Sequence, residues 1–111
     1  MKLSFQRLGA SATNRLVDPQ DWMTWAHDAG KAAGVVLTPP LVARIVLGCV
    51  DARGVVPIES AWRVVEPILD GLAASGMYAS RRDVIEVTLC QPVIVGRWVL
   101  TVTLSDADEP F

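Results

Sequence analysis

A run of ten residues, Leu41 to Val50, constrains the fold of this chain more than any other feature of its sequence. The run is almost uniformly apolar, is rich in β-branched residues and is interrupted by one charge, Arg44. This pattern is typical of a strand covered on both faces, with Arg44 reaching solvent along its aliphatic stem or lying near an edge. The chain has 111 residues, 51% of them hydrophobic, so we expect one domain with a substantial core.

The first half of the chain predicts a strand, a loop and a helix before that run. Residues 2–8 alternate loosely and predict the strand, and residues 9–18 are small and polar, as in a loop. Asp18 is the expected N-cap of the helix, with Pro19 at its first position and Gly34 at its end. Its apolar face consists of residues spaced three and four apart, namely Trp22, Trp25, Ala26, Ala29 and Ala33. We interpret the two tryptophans as core residues.

The second half predicts one more helix and two strands. The helix is expected from about Ile58 to Ser75, with a kink or break at Pro67 and an end at Gly76. Residues 84–90 and 97–104 have strand composition, and residues 91–96 have the length of a hairpin connection. The predicted fold is therefore α/β (α+β), a mixed β-sheet packed by two helices in the order β-α-β-α-β-β. Residues 1–104 form the predicted domain, and 105–111 an acidic, flexible tail.

Composition narrows the classes of function. The net charge of −2 argues against strong nucleic-acid binding, although eight of the ten basic residues are arginines and two of them are adjacent. Cys49, Cys90 and His27 lack the spacing of a zinc site, and we expect the two thiols to be buried. The sequence shows neither a membrane-spanning apolar stretch nor a secretory signal, so a cytoplasmic location is expected.

Several short motifs resemble those of RusA-family Holliday-junction resolvases. Residues 70–78, Asp-Gly-Leu-Ala-Ala-Ser-Gly-Met-Tyr, resemble the family's "D-A-L … G-aromatic" helix end, and 83–85, Asp-Val-Ile, follow where the family enters its third strand. Residues 10–15, Ala-Ser-Ala-Thr-Asn-Arg, resemble the family's P-P-S-x-N-R loop without its prolines. Order and spacing agree over about 100 residues. The resemblance implies a RusA-like fold, a homodimer that recognises four-way DNA junctions, and cleavage with Mg²⁺ held by aspartates.

The expected catalytic set is missing from this chain. The family carries D-x-D-N at the start of its second helix, a lysine one turn later, and a D-D pair after the G-aromatic turn. Counted without gaps, the first aspartate, the second aspartate and the lysine fall on Ser60, Trp62 and Glu66. The D-D pair falls on Ser80 and Arg81. Since Mg²⁺ requires a cluster of oxygen ligands, the resemblance alone leaves the chain without a metal site.

Two sets of residues are nevertheless candidates for a site. Glu59, Glu66 and Asp70 share a face of the second predicted helix, and Asp83 follows in the next turn; the alternative is a solvated face with Arg63 between the acids. The candidate DNA contacts combine the adjacent arginines with residues in predicted loops: Asn14, Arg15, Arg53, Arg81 and Arg82. Each of these residues is also explained by a turn or by solubility. No other cofactor is expected.

Three functions remain open on this basis. We expect a catalytically degenerate, RusA-like phage or prophage accessory protein that binds a host protein, or more weakly branched DNA, without cleaving it. The first alternative is an active, Mg²⁺-dependent divergent resolvase that uses Glu59, Glu66, Asp70 or Asp83. The second is an unrelated small α/β interaction domain. A homodimer in the cytoplasm of a bacterial host is expected under the two RusA-like hypotheses, and no membrane partner is expected.

Overall fold

The computed structural model describes residues 2–8, 18–49, 62–90, 93–97 and 99–107, and the structure below is that of these residues. They form one five-stranded mixed sheet with two helices, which confirms the predicted fold class. The strands are β1 (Lys2–Leu8), β2 (Leu41–Cys49), β3 (Val84–Leu89), β4 (Val93–Ile94) and β5 (Val99–Asp106). The helices are α1 (Pro19–Ala33) and α2 (Val65–Ala74). Neither described helix is long and apolar enough to span a membrane.

Helix α1 begins and ends as its sequence predicts. The Asp18 side chain accepts hydrogen bonds from the backbone N–H groups of Gln20 and Asp21, at 3.1 and 3.2 Å. These bonds satisfy two of the amides that lack acceptors in a first helical turn. At the other end Gly34 has a φ of +62°, a left-handed conformation that favours glycine, and its N–H donates to the Gly30 carbonyl.

Helix α2 differs from its prediction at its start and at Pro67. A 3₁₀ turn, Trp62–Val64, precedes the α-helix, which begins at Val65; residues 58–61 lie outside the described residues. Pro67 is thus the third residue of the α-helix, and the helical segment changes from 3₁₀ to α between Val64 and Val65, two residues before the position where a kink or break was expected. Proline is tolerated in the first turn of an α-helix because the first amides there have no α-helical acceptor. Gly76, with a φ of +92°, follows the helix as predicted.

The pairing of the strands corrects the predicted hairpin. β3 and β5 do not pair; β2 lies between them, antiparallel to β5 on one side and parallel to β3 and β4 on the other. β5 also pairs antiparallel with β1, so that Lys2 lies opposite Ser105. β5 therefore continues beyond the predicted domain end, and Ser105 and Asp106 belong to the sheet and not to the acidic tail. A central position buries the apolar side chains of β5, which a two-stranded hairpin does not achieve.

The core lies between the helices and one face of the sheet. Trp22 and Ala26 of α1 are fully buried in the same core cluster as Ile68 of α2 and Ile45 of β2, which confirms a core role for Trp22. The other main core side chains come from β2, α2 and β5: Leu41, Leu47, Leu69, Leu72, Leu100, Val102 and Leu104. Both described helices thus cover the same face of the sheet.

The second face of the sheet is partly open, contrary to the expectation for β2. Val42 and Gly48 are buried on that face, but Arg44 is exposed and Val46 is only partly covered. The long apolar run arises because β2 is hydrogen-bonded on both edges and contributes its alternate residues to the core. Arg44 reaches solvent, which is one of the two environments predicted for it. Its Nε lies 3.3 Å from the sulfur of Cys90. Cys49 is buried, whereas Cys90 is partly exposed.

Candidate functional site

The structure brings three of the candidate acids and the adjacent arginines to one corner of the fold. Glu66 and Asp70 lie on α2, and a 3₁₀ turn, Arg81–Asp83, carries the other three residues between α2 and β3. We call these five residues, Glu66, Asp70, Arg81, Arg82 and Asp83, the arginine corner. The remaining candidates, Glu59, Asn14, Arg15 and Arg53, lie outside the described residues.

Glu66 is engaged in an ion pair within this corner. Its Oε1 lies 3.2 Å from Nη1 of Arg81, and both side chains are largely exposed. Pairs of this kind stabilise a folded protein by about 0–1 kcal/mol because water and salt screen them. The pair engages one of the carboxylates that the metal hypothesis offers as ligands.

Asp83 has a structural role in the same corner. Its Oδ2 accepts hydrogen bonds from the backbone N–H groups of Ala79 and Ser80, at 3.0 and 3.3 Å. Ser80 in turn accepts from the backbone N–H of Arg82 at 3.2 Å, completing a capping box around the 3₁₀ turn. The carboxylate therefore holds the turn, and the turn presents Arg81 and Arg82 to solvent.

Asp70 is linked to the corner through a buried tyrosine. The Tyr78 hydroxyl donates a hydrogen bond to the carbonyl of Leu69 at 2.5 Å. Burial raises the pKa of Tyr78 well above its ordinary value; the charge of Asp70 and, to a smaller extent, Asp83 raise it further, whereas Arg81 opposes them. Asp70 and Asp83 therefore lie near a buried tyrosine whose hydroxyl is hydrogen-bonded to the backbone of α2.

The carboxylates of the corner do not fit the Mg²⁺ that the resemblance implies. Within the described ranges, no group of three or more His, Cys, Asp or Glu side chains is arranged to hold a metal ion. Glu66 is paired with a guanidinium and Asp83 with two amides. Mg²⁺ binding needs carboxylate oxygens that are free to coordinate, so these contacts compete with it.

A shallow pocket opens beside the two arginines. Its volume is about 380 Å³, and among the described residues it is lined by Leu69, Val84, Val87, Arg81 and Arg82. No ion pair involving Arg82 is formed within the described residues, so this cation is available to an external anion. The pocket combines an apolar floor with a basic rim, which suits a protein side chain or a phosphate equally.

A second pocket lies on the open face of the sheet, where the sequence predicted only a connection. Its volume is about 430 Å³. The described residues that line it come from β1, β2, β4, β5 and the turn before β5: Gln6, Val46, Gly48, Val93, Val95, Arg97, Val99 and Thr101. We call it the valine pocket. Sequence reasoning missed it because three of its residues lie in or beside the segment interpreted as a hairpin connection. The available signal was the run of three apolar residues, 93–95, inside that segment.

Comparison with known proteins adds no assignment to this geometry. A scan against protein-family models finds no match for the chain, and a search of curated proteins finds none either.

Proposed function

We propose that this chain is a catalytically degenerate relative of RusA-family resolvases, a phage or prophage accessory protein that binds a partner without cleaving DNA. The observation that carries the proposal is the ion pair between Glu66 and Arg81. In the ungapped count these two positions correspond to the family's lysine and to one of its aspartates. The pair joins the two positions at 3.2 Å with the charges exchanged, which supports both a shared scaffold and a lost metal site.

The surface of the described residues favours a protein partner over DNA. Trp62, at the position of a family aspartate, is 44% exposed, and Ile94 and Val95 are exposed by more than half. Exposed aromatic and aliphatic side chains are typical of the centre of protein interfaces. The net charge of −2 and the pairing of Arg81 with Glu66 weaken attraction to phosphates. The partner we propose is a host protein, in the cytoplasm of a bacterial host, bound by a homodimer of this chain.

A cleavage assay on four-way DNA junctions tests the loss of catalysis. We expect no cleavage by the full chain at micromolar concentration with Mg²⁺ or Mn²⁺, because Glu66 and Asp83 are engaged in other contacts. A charge-restoring double variant, Glu66→Lys with Arg81→Asp, should remain inactive, since Ser60 and Trp62 still replace two aspartates. Mg²⁺-dependent cleavage that disappears in Asp70→Ala or Glu59→Ala would instead establish the active resolvase.

A mobility-shift experiment separates the two kinds of partner. For a protein-binding chain we expect no junction-specific complex at physiological salt. At low salt we expect only weak complexes, with the same affinity for junction DNA as for duplex DNA. Arg82→Ala should then leave the weak binding little changed. A junction complex that weakens steeply with salt, and further in Arg82→Ala, would favour branched DNA as the partner.

A further inference from the structure

The valine pocket is built by a close approach between β2 and its neighbours at Gly48. A Cβ at Gly48 would lie 2.6 Å from Cγ2 of Val95 and 2.8 Å from Cγ1 of Val99, closer than side chains pack. The absence of a side chain at this position lets both valines lean over β2 from opposite sides. Val46 and Val93 complete the apolar lining. The result is an aliphatic concavity on a sheet face that neither described helix covers.

The charge of the pocket is provided by Arg97. It follows Gly96, whose φ of +79° turns the chain from β4 towards β5, and its side chain is exposed. No acidic residue stands among the described residues that line the pocket, and no ion pair of Arg97 is formed within them. Gln6 and Thr101 add neutral hydrogen-bonding groups. A ligand that complements this set has an aliphatic part and an anionic end.

The exposed surface beside the pocket indicates that the ligand is longer than a small acid. Val95 is 51% exposed, and Leu8, which pairs with the lining residue Val99 and lies on the same face of the sheet, is 66% exposed, so apolar surface continues past the mouth of the pocket. One aliphatic group in a shallow pocket does not offset the translational and rotational freedom lost on binding. A chain that covers the neighbouring apolar residues as well buries more area. A carboxylate attached to an aliphatic residue at the end of an extended chain is the C-terminus of a polypeptide.

We propose that the valine pocket binds the C-terminus of a partner polypeptide, with its last aliphatic side chain against Val46, Val95 and Val99 and its free carboxylate at Arg97. This rests on the proposed function, in which the chain binds a protein. The guanidinium donates charge-assisted hydrogen bonds to the carboxylate, and these are stronger than bonds to a neutral amide. Capture of a terminal carboxylate is one of the recurring modes of peptide recognition.

The test is an NMR titration of the isotope-labelled full chain with two hexapeptides ending in leucine-valine, one with a free carboxylate and one amidated. We expect methyl shifts at Val93, Val95 and Val99, and an affinity about tenfold higher for the free acid. Arg97→Gln should reduce the affinity for the acid to that for the amide. Arg82→Gln, which removes an exposed arginine outside this pocket, is the matched control and should change neither affinity.

Two further measurements keep the outcome decisive. Val93→Glu places a carboxylate at a site that is 42% exposed and therefore tolerant of substitution. This variant should not bind the free-acid peptide, while its amide spectrum remains that of a folded protein. Isovalerate alone should shift the same methyl groups only at far higher concentration. Equal affinities for acid and amide, no change in Arg97→Gln, or isovalerate binding as tightly as the peptide would each overturn the proposal. A negative peptide titration leaves the outcome of the junction-cleavage assay unaffected. Junction cleavage, in contrast, refutes the proposed function regardless of the peptide affinities.

Discussion

At the scale of single residues, Arg7 shows how a charge is accommodated beside the core. The guanidinium carbon lies 4.4 Å from the ring centroid of Trp22 and 5.8 Å from that of Trp25, and the two rings meet edge to face. Its Nη2 donates to Oδ2 of Asp21 at 2.7 Å, and the side chain is only 11% exposed. Nη1 is buried without a hydrogen-bond partner among the described residues. Stacking on the tryptophan rings and one ion pair thus offset the cost of burying Nη1 without a hydrogen-bond acceptor.

Substitution of Arg7 should reveal this balance. We expect Arg7→Lys to lower the free energy of unfolding by about 1 kcal/mol, because lysine keeps the charge but loses the planar stacking. Arg7→Ala should lower it by about 2 kcal/mol, since packing and the ion pair are both lost. Urea denaturation measures both. The exposed control Arg82→Ala should stay within about 0.5 kcal/mol of the parent, and Arg7→Lys as stable as the parent would contradict a role for stacking.

Tyr78 should make the free energy of unfolding depend on pH. Its pKa is raised, mainly by burial and then by Asp70, so the folded chain retains a proton that the unfolded chain loses near pH 10. The stabilising effect is complete below the unfolded pKa and declines as pH rises above it. We expect the free energy of unfolding to fall above about pH 10, by up to about 1.4 kcal/mol per pH unit.

The variant Tyr78→Phe isolates this effect. It removes the titrating group together with the hydrogen bond to the Leu69 carbonyl, so it should be less stable at pH 7 by about 1–2 kcal/mol. Between pH 9 and pH 11, measured by urea denaturation, the stability difference between parent and variant should shrink by about 1 kcal/mol or more. A difference that stays constant over this range would show that Tyr78 does not titrate as the structure requires.

At the scale of elements, the contact between α1 and α2 depends on small residues. A Cβ at Gly71 would lie 2.4 Å from the Met23 carbonyl oxygen and 2.9 Å from Cβ of Ala26. A Cβ at Gly30 would clash with the Ser75 side chain, whose hydroxyl donates a hydrogen bond to the Leu72 carbonyl. The helices therefore approach closely because these positions carry no side chain, and the approach allows both helices to cover the same face of the sheet.

Two glycine-to-alanine changes distinguish packing from backbone conformation. Gly71→Ala gains up to about 1 kcal/mol of helix propensity, yet it should destabilise the protein by about 2 kcal/mol or more, because the methyl group meets a backbone oxygen that cannot move freely. Gly34→Ala faces open space and should cost about 1 kcal/mol from its left-handed conformation alone. Thermal denaturation compares them, and Gly71→Ala proving the milder change would contradict this helix contact.

At the scale of the whole molecule, the sheet joins distant parts of the chain. β5 lies between β1 and β2, so the first described strand pairs with the last, and β2 has neighbours on both edges. β1 forms one edge of the described sheet, and β3 with β4 forms the other. A bulge between Leu41 and Val42 at the pairing with β3 leaves Ile85 63% exposed on that edge.

Amide hydrogen exchange should follow this arrangement. We expect the slowest exchange in β5 and in the centre of β2, because those amides open only when the sheet unfolds globally. The inward-bonded amides near β4, such as the Val95 N–H bonded to the Cys49 carbonyl, should exchange earlier by local opening of the edge. Exchange followed by NMR at pH 7 measures this order. Protection in β4 equal to that in β5 would indicate that a further segment or a partner covers the edge.

The amino-acid sequence alone is enough to predict most of the local elements. Asp18, Pro19 and Gly34 specified the limits of α1, and apolar spacing placed Trp22 in the core, because capping and helical periodicity act over a few residues. It also placed all four predicted strands close to their observed positions. The effect of Pro67 depends on where the helix begins, which the preceding residues decide.

Which strands are neighbours and which side chains meet depends on how the whole chain packs. Strand composition does not encode a partner, so the position of β2 between β3 and β5 depended on which arrangement buries the most apolar faces. The contact of Arg7 with Trp22, the ion pair of Glu66 with Arg81 and the gathering of valines over Gly48 all join residues distant along the chain. Such contacts arise from packing of whole faces, and the candidate sites of this protein are made of them.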